Sequence, residues 1–345
     1  MNEEINPNEE SESTSDNLLT EQHQPFENRI DLSGLQNLVS KIRKEIRKVI
    51  VGQDEMIDLL ICGLLADGHV LVEGVPGVAK TLTVRLLAKT LNTNFSRIQF
   101  TPDLMPADII GTTVFNAKTT DFEFKKGPVF SNIVLIDEIN RAPAKTQSAL
   151  FEVMQEKQIT VDGTSYPMDP PFIVIATQNP IEHEGTYRLP EAQLDRFLFK
   201  VDVGYPSIED EISILEGSYN RKTASDFAAI DAVISPEELT TQRALVTEIH
   251  VEKELMTYIA KIVQETRNSS SIYIGASPRA SVYVMKASQA WAAMQGRDFI
   301  TPEDVKRIIA PALRHRITLT PEKEMEGLLP DAVLKQLANN VEVPR

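Results

Sequence analysis

The segment Gly74-Val75-Pro76-Gly77-Val78-Ala79-Lys80-Thr81 constrains this chain more than any other. It follows a short apolar run, His69-Val70-Leu71-Val72, and opens a stretch with helical patterning. A glycine-bearing turn between a strand and a helix presents successive backbone N–H groups, and the positive end of the helix, to an anion. The pattern predicts a phosphate-binding loop, with Gly74, Val75, Pro76, Gly77, Val78, Ala79, Lys80, Thr81 and Leu82 around the phosphates. Lys80 would reach the β- and γ-phosphates of a nucleotide such as ATP, and Thr81 would ligate Mg²⁺. Ala79 stands where such loops usually carry glycine, and a right-handed backbone is expected there because alanine is small.

A second motif points the same way. Ile133-Val134-Leu135-Ile136-Asp137-Glu138 reads as a buried strand ending in two carboxylates. In open α/β sheets, ligands sit at the carboxyl ends of strands. Asp137 is therefore placed at the Mg²⁺ or its water shell, and Glu138 as general base toward an attacking water. A solvated, acid-capped strand end is the bland alternative, and the coincidence with the glycine loop weighs against it.

Strand-like runs at 69–72, 95–100, 133–136, 172–176 and 197–203 alternate with helical stretches. That alternation predicts a mainly parallel five-stranded sheet covered by helices on both faces. Amphipathic helices are expected over Leu35–Val49 and roughly Gln53–Ala66. Beyond Tyr205-Pro206, Ser235-Pro236-Glu237, Thr301-Pro302-Glu303 and Thr320-Pro321-Glu322 share a start signal of hydroxyl cap, proline and acid. The expected organisation is an acidic, disordered tail over 1–32, an α/β core over 33–206 and an all-helical second domain over 207–345. Asp162-Gly163 after Ile159-Thr160-Val161 is a hairpin signal, and Val114-Phe115 and Phe122-Glu123-Phe124 flank a polar turn.

Composition excludes several classes. The net charge is −15, of which residues 1–30 hold −7. An acidic balance argues against extensive nucleic-acid binding, which needs Lys and Arg to replace counterions. The longest apolar run, Leu59–Ala66, has 8 residues, against the roughly 20 a spanning helix needs. The N-terminus is acidic where a secretory signal would be basic and then apolar, so the expected location is the cytoplasm. The single cysteine, Cys62, lies in an apolar stretch and reads as a core residue.

Asp137-Glu138-Ile139-Asn140-Arg141-Ala142-Pro143, continuing to Leu150, resembles the signature of MoxR-family AAA+ ATPases. Gly74–Thr81, Thr177-Gln178-Asn179-Pro180, Leu189–Phe197, Gly275-Ala276-Ser277-Pro278-Arg279-Ala280 and Leu313-Arg314-His315-Arg316 are also similar to that family. The likeness runs over about residues 35–320 and implies an AAA+ core with a C-terminal helical lid. It further implies that Val51 and Gly52 face the adenine, that Asn179 orients the lytic water, and that Arg279 meets the γ-phosphate from the lid. Arg196 is implied as the finger reaching a neighbour's nucleotide, with Arg188 as its rival and an ion pair to Asp195 as the structural alternative. The two hairpins resemble pore-facing insertions, or else are ordinary edge hairpins. Implied partners are copies of the same chain in a hexameric ring and protein clients, among them von Willebrand A-domain proteins. A nucleic-acid motor or loader is the competing function, distinguished by duplex-stimulated, salt-sensitive turnover. A nucleotide switch without turnover is a third, and Glu138 with Asn179 speaks against it.

Overall fold

The computed structural model describes residues 30–180, 187, 189–221 and 226–344. The acidic stretch 1–29 and Arg188 lie outside the described residues.

The chain opens with α1 (Ser33–Arg47) and α2 (Asp54–Leu65), followed by β1 (His69–Gly74), α3 (Lys80–Thr90), β2 (Phe95–Gln99) and α4 (Pro106–Ile110). A first hairpin, β3 (Gly111–Asn116) and β4 (Asp121–Lys126), leads to β5 (Ile133–Asp137) and α5 (Ala144–Glu156). A second hairpin, β6 (Gln158–Val161) and β7 (Thr164–Pro167), precedes β8 (Ile173–Gln178), α6 (Glu191–Leu194) and β9 (Phe197–Val203). The C-terminal part holds α7 (Ile208–Arg221), α8 (Pro236–Thr247), α9 (Lys253–Asn268), β10 (Ile272–Ile274), α10 (Pro278–Met294) and α11 (Pro302–Leu313). It ends with β11 (Thr318–Leu319), α12 (Pro321–Met325) and α13 (Pro330–Asn340).

Five strands form one parallel sheet in the order β2-β5-β8-β1-β9. Side chains on adjacent strand positions serve two different cores, because the side-chain period of a strand is two. Val70, Val72, Ile133, Leu135, Ile173 and Ile175 join the core under α1, α2 and α3. Leu71, Val134, Ile136, Val174 and Ala176 join the one under α5. Helices on both faces explain why the central strands read as unbroken apolar runs rather than as alternating ones.

The C-terminal helices share the first of these cores, so they pack onto the sheet through α2 rather than standing apart. This is why α2 departs from the expected amphipathic pattern: from Met56 to Leu65 only Asp58 escapes full burial. Its neighbours are α1, α8, α10, β1 and β9. Cys62 is buried there, with its thiol 3.4 Å from the Ala287 carbonyl, and desolvation raises its pKa far above the ordinary range.

Two expectations for the C-terminal part need correction. It is not wholly helical, because β10 and β11 pair antiparallel through Ile272 and Leu319. Ser235 and Thr301 cap their helices with reciprocal bonds to Glu238 and Asp304, but Thr320 makes no side-chain cap. Both hairpins form, with Asp162 and Gly163 at positive φ in the tight turn of the second. They pack on each other: the Thr113 hydroxyl donates to Asp162 at 2.9 Å, and the Phe124 and Tyr166 rings lie 4.7 Å apart. Among the described residues, no helix is long and apolar enough to cross a membrane.

Candidate functional site

Strand order sets the site. The chain returns to the middle of the sheet after β2, so β1 lies between β8 and β9, and a crevice opens at the carboxyl ends. Register places Gln99 opposite Asp137, Ile136 opposite Ala176, and Val72 opposite Thr177. The phosphate loop, the acidic strand end and the Thr177-Gln178-Asn179 turn therefore meet around one cavity of about 490 Å³. Its walls include Pro76 to Leu82, Asp137, Glu138, Thr177 and Asn179.

Within the loop, Gly77 sits at φ +88° and Ala79 at φ +61°. Ala79 thus adopts the left-handed region, not the right-handed backbone expected from its small size. The loop must reverse before α3 to aim its N–H groups inward, and alanine bears a steric cost there that glycine does not. Ala79→Gly should therefore stabilise the nucleotide-free protein by roughly 0.5–1 kcal/mol, after the greater chain entropy of glycine is subtracted. Unchanged or lowered stability in denaturant titrations would show that the loop carries no such strain.

The Lys80 ammonium donates to the carbonyls of Gly74 and, at 3.2 Å, Val75. Desolvation pushes its pKa below the ordinary range, opposed by the negative charges of Glu73, Asp137 and Glu138. A phosphate would offer it a stronger acceptor than two neutral carbonyls. The Thr81 hydroxyl donates to Asp137 Oδ1 at 2.9 Å, and the Thr177 hydroxyl lies 3.2 Å from the same oxygen. A hydroxyl and a buried carboxylate in contact are the hard oxygen donors that Mg²⁺ prefers, so these residues fit that ion.

Four further residues enter the site to which the sequence assigned no role: Arg97, Gln99, and the motif residues Arg141 and Thr177. Arg97 Nε donates to Asp137 Oδ2 at 2.6 Å, neutralising a carboxylate that is only 4% exposed. Gln99 Nε2 and Arg141 Nη1 both donate to Glu138 Oε2, at 3.1 and 2.9 Å. Thr177 Oγ1 also accepts from the backbone N–H of Glu138 at 3.1 Å, which helps hold that residue at φ +55°. The available signal was the polar pair Arg97 and Gln99, two apart on a strand beside the acidic one.

The other predicted site residues do not line this cavity. Gly52, at φ +72°, lies against the Asp210 carboxylate at the start of α7. Arg279 opens α10 and stands 4.0 Å from Asp195. Asp195 is held by Arg316 at 2.8 Å and by the Ser277 hydroxyl at 3.0 Å. The structural alternative weighed for Arg196, a pair with Asp195, is not formed; Arg196 Nη1 donates to the Phe151 carbonyl at 2.6 Å. Arg316 is itself buried, and it ties the end of α11 to the turn before β9.

Residues 69–199 match the family described as "ATPase family associated with various cellular activities (AAA)", and residues 264–337 match the AAA lid domain. Chaperone MoxR1 of Mycobacterium tuberculosis is 44% identical over 310 residues, covering 87% of this chain and 81% of that protein. Protein MoxR of Paracoccus denitrificans is 30% identical over 305 residues, covering 82% and 89%. This chain belongs to the MoxR family of AAA+ ATPases. YeaC of Bacillus subtilis is 45% identical over 310 residues, 90% of this chain and 96% of its own. The crystal structure of a Cytophaga hutchinsonii protein, 41% identical, superposes with a TM-score of 0.83 over 91% of this MoxR-family chain and 97% of the other.

Proposed function

We propose that this protein binds Mg²⁺ and ATP in the cavity between the phosphate loop and the acidic strand end. It hydrolyses the nucleotide there and uses the cycle to remodel partner proteins. The observation that carries this reading is the convergence of Lys80, Thr81, Asp137, Glu138 and Asn179 on one crevice from three strand ends. Lys80 would exchange its loop carbonyls for phosphate oxygens, while the N–H groups of Val78 to Thr81 cradle the phosphates. When bound, Mg²⁺ supplies neutralising charge to the β- and γ-phosphate oxygens. Thr81 and Asp137 would hold the ion. Glu138, at the cavity mouth, would accept a proton from the attacking water, with Asn179 orienting that water.

Residues 33–206 would act as the ATPase core and 207–345 as the lid, with Val51 and Gly52 on the adenine side. Arg279 lies on α10, inside the lid domain match, where closure on nucleotide would bring it to the γ-phosphate. Copies would assemble head to tail into a hexameric ring. The name of the Mycobacterium tuberculosis relative supports a chaperone role, and von Willebrand A-domain proteins are the client class implied by family likeness. The two hairpins pack on each other and expose Phe115 and Phe122, an apolar tip suited to gripping a client.

The reading is tested through Lys80. Lys80→Ala should abolish calorimetrically detectable ATP binding while circular dichroism and melting stay near wild type, because its hydrogen bonds go to the carbonyls of Gly74 and Val75 at the entry to its own loop. Unchanged ATP affinity would remove nucleotide from this cavity.

A further inference from the structure

A second cleft, of about 600 Å³, lies at the opposite, amino-terminal ends of β1 and β8. It is bounded by the end of α2, by Met168 and Phe172 ahead of β8, and by α8 and α10. These are amino-terminal approaches to the strands, whereas the nucleotide cavity lies at the carboxyl ends. Nothing in the hydrolysis scheme uses this cleft.

Its walls are chiefly apolar: Leu65, Met168, Phe172, Val246 and Met285 supply them. Its charges are unbalanced. Lys157, Arg243 and Lys286 face a single acid, Asp67. Asp67 is shared by Lys157 at 2.5 Å and Arg243 at 3.0 Å, and Lys286 makes no ion pair among the described residues. Arg243 is largely buried, and desolvation lowers its pKa. Its Nε donates to the Leu64 carbonyl at 2.6 Å, while its Nη2 is buried with no acceptor. A guanidinium nitrogen without an acceptor is costly, and the single Asp67 shared with Lys157 leaves the cleft with an excess of positive charge that an anion would complement.

From this geometry we propose that the cleft binds a small amphiphilic carboxylate, with its apolar body on the Met168, Phe172 and Met285 wall and its head among Lys157, Arg243 and Lys286. The volume is that of small-molecule pockets, roughly 300–1,000 Å³. A macromolecular partner would instead need a broad face of about 800 Å² per side. The site also spans two parts of the fold. Met168 N donates to the Lys157 carbonyl at 2.9 Å, closing the base of the β6–β7 hairpin, while α8 and α10 belong to the C-terminal helices. A ligand seated here would clamp the hairpin base to those helices.

The full-length protein, titrated calorimetrically with decanoate below its micelle concentration, tests the proposal without requiring nucleotide turnover. One saturable site per chain is expected, with a dissociation constant of about 1 mM or tighter. Ala244 is exposed on α8 at the cleft, so Ala244→Trp should fill the site without disturbing the core and weaken binding at least roughly tenfold. Lys286→Glu, which removes one cation and adds a repelling charge, should weaken decanoate about threefold or more. Decanol should bind at least about tenfold more weakly than decanoate, because it lacks the charged head. No saturable heat, equal affinity for decanol, or undiminished affinity in Ala244→Trp would overturn the proposal. A changed sedimentation coefficient in Ala244→Trp with no decanoate binding to wild type would also overturn it, and would make the cleft a contact between copies of the chain.

Discussion

Glu138→Gln should keep ATP binding and lower turnover by about 10²–10⁴-fold, the usual contribution of a positioned general base. The substitution is nearly isosteric, and its amide oxygen still accepts from Arg141 and Gln99, which hold the present carboxylate at 2.9 and 3.1 Å. The side chain is 41% exposed and belongs to neither core, so the fold should survive. What the amide lacks is a basic oxygen that can take a proton from water. The phosphate-binding groups, Lys80 and the N–H groups of the loop, are untouched. Single-turnover hydrolysis measured beside an ATP binding isotherm separates the two effects. Turnover within a few-fold of wild type at normal affinity would move the base elsewhere in the cavity.

Arg196→Ala should reduce ATP turnover by roughly 10³–10⁵-fold, the range for an arginine stabilising charge on a transferring phosphoryl group. The fold makes the direction of action testable. Arg196 directly precedes Phe197, which pairs with His69 at the amino end of β1. The phosphate loop leaves the other end of that strand, at Gly74 five residues further on, or about 16 Å at 3.3 Å per residue. Arg196 does not line its own nucleotide cavity, so the proposed finger would act on a neighbour's nucleotide. Mixing Arg196→Ala chains, whose cavities are intact, with Lys80→Ala chains, whose fingers are intact, should restore hydrolysis. The recovered rate should depend on mixing ratio and total concentration, and labelled chains can verify subunit exchange. Confirmed exchange without recovery, together with full activity of Arg196→Ala alone, would reject Arg196. Arg188 would then be tested in the same way.

Local chemistry is legible in the sequence because it depends on neighbours along the chain. The strand, glycine turn and helix at 69–90, the acids ending 133–138, the proline-led helix starts and the Asp162-Gly163 turn each carry their cause within about ten residues. Unbroken apolar runs require a sheet covered on both faces, and alternation with helices requires it to be parallel. Those constraints determined the α/β core with helical C-terminal part and brought attention to Lys80, Thr81, Asp137 and Glu138. Three-dimensional placement decided the rest. Arg97 and Gln99 became site residues only because β2 pairs with β5, and Thr177 only because β8 lies beside it. Ala79 took a left-handed backbone because the loop's path into α3 overrode the intrinsic preference of alanine. Buried α2 lost its expected amphipathic character because helices from the distant C-terminal part closed over its outer face. Strand pairing and layer packing join residues far apart in the chain, and no local periodicity encodes which partner will arrive.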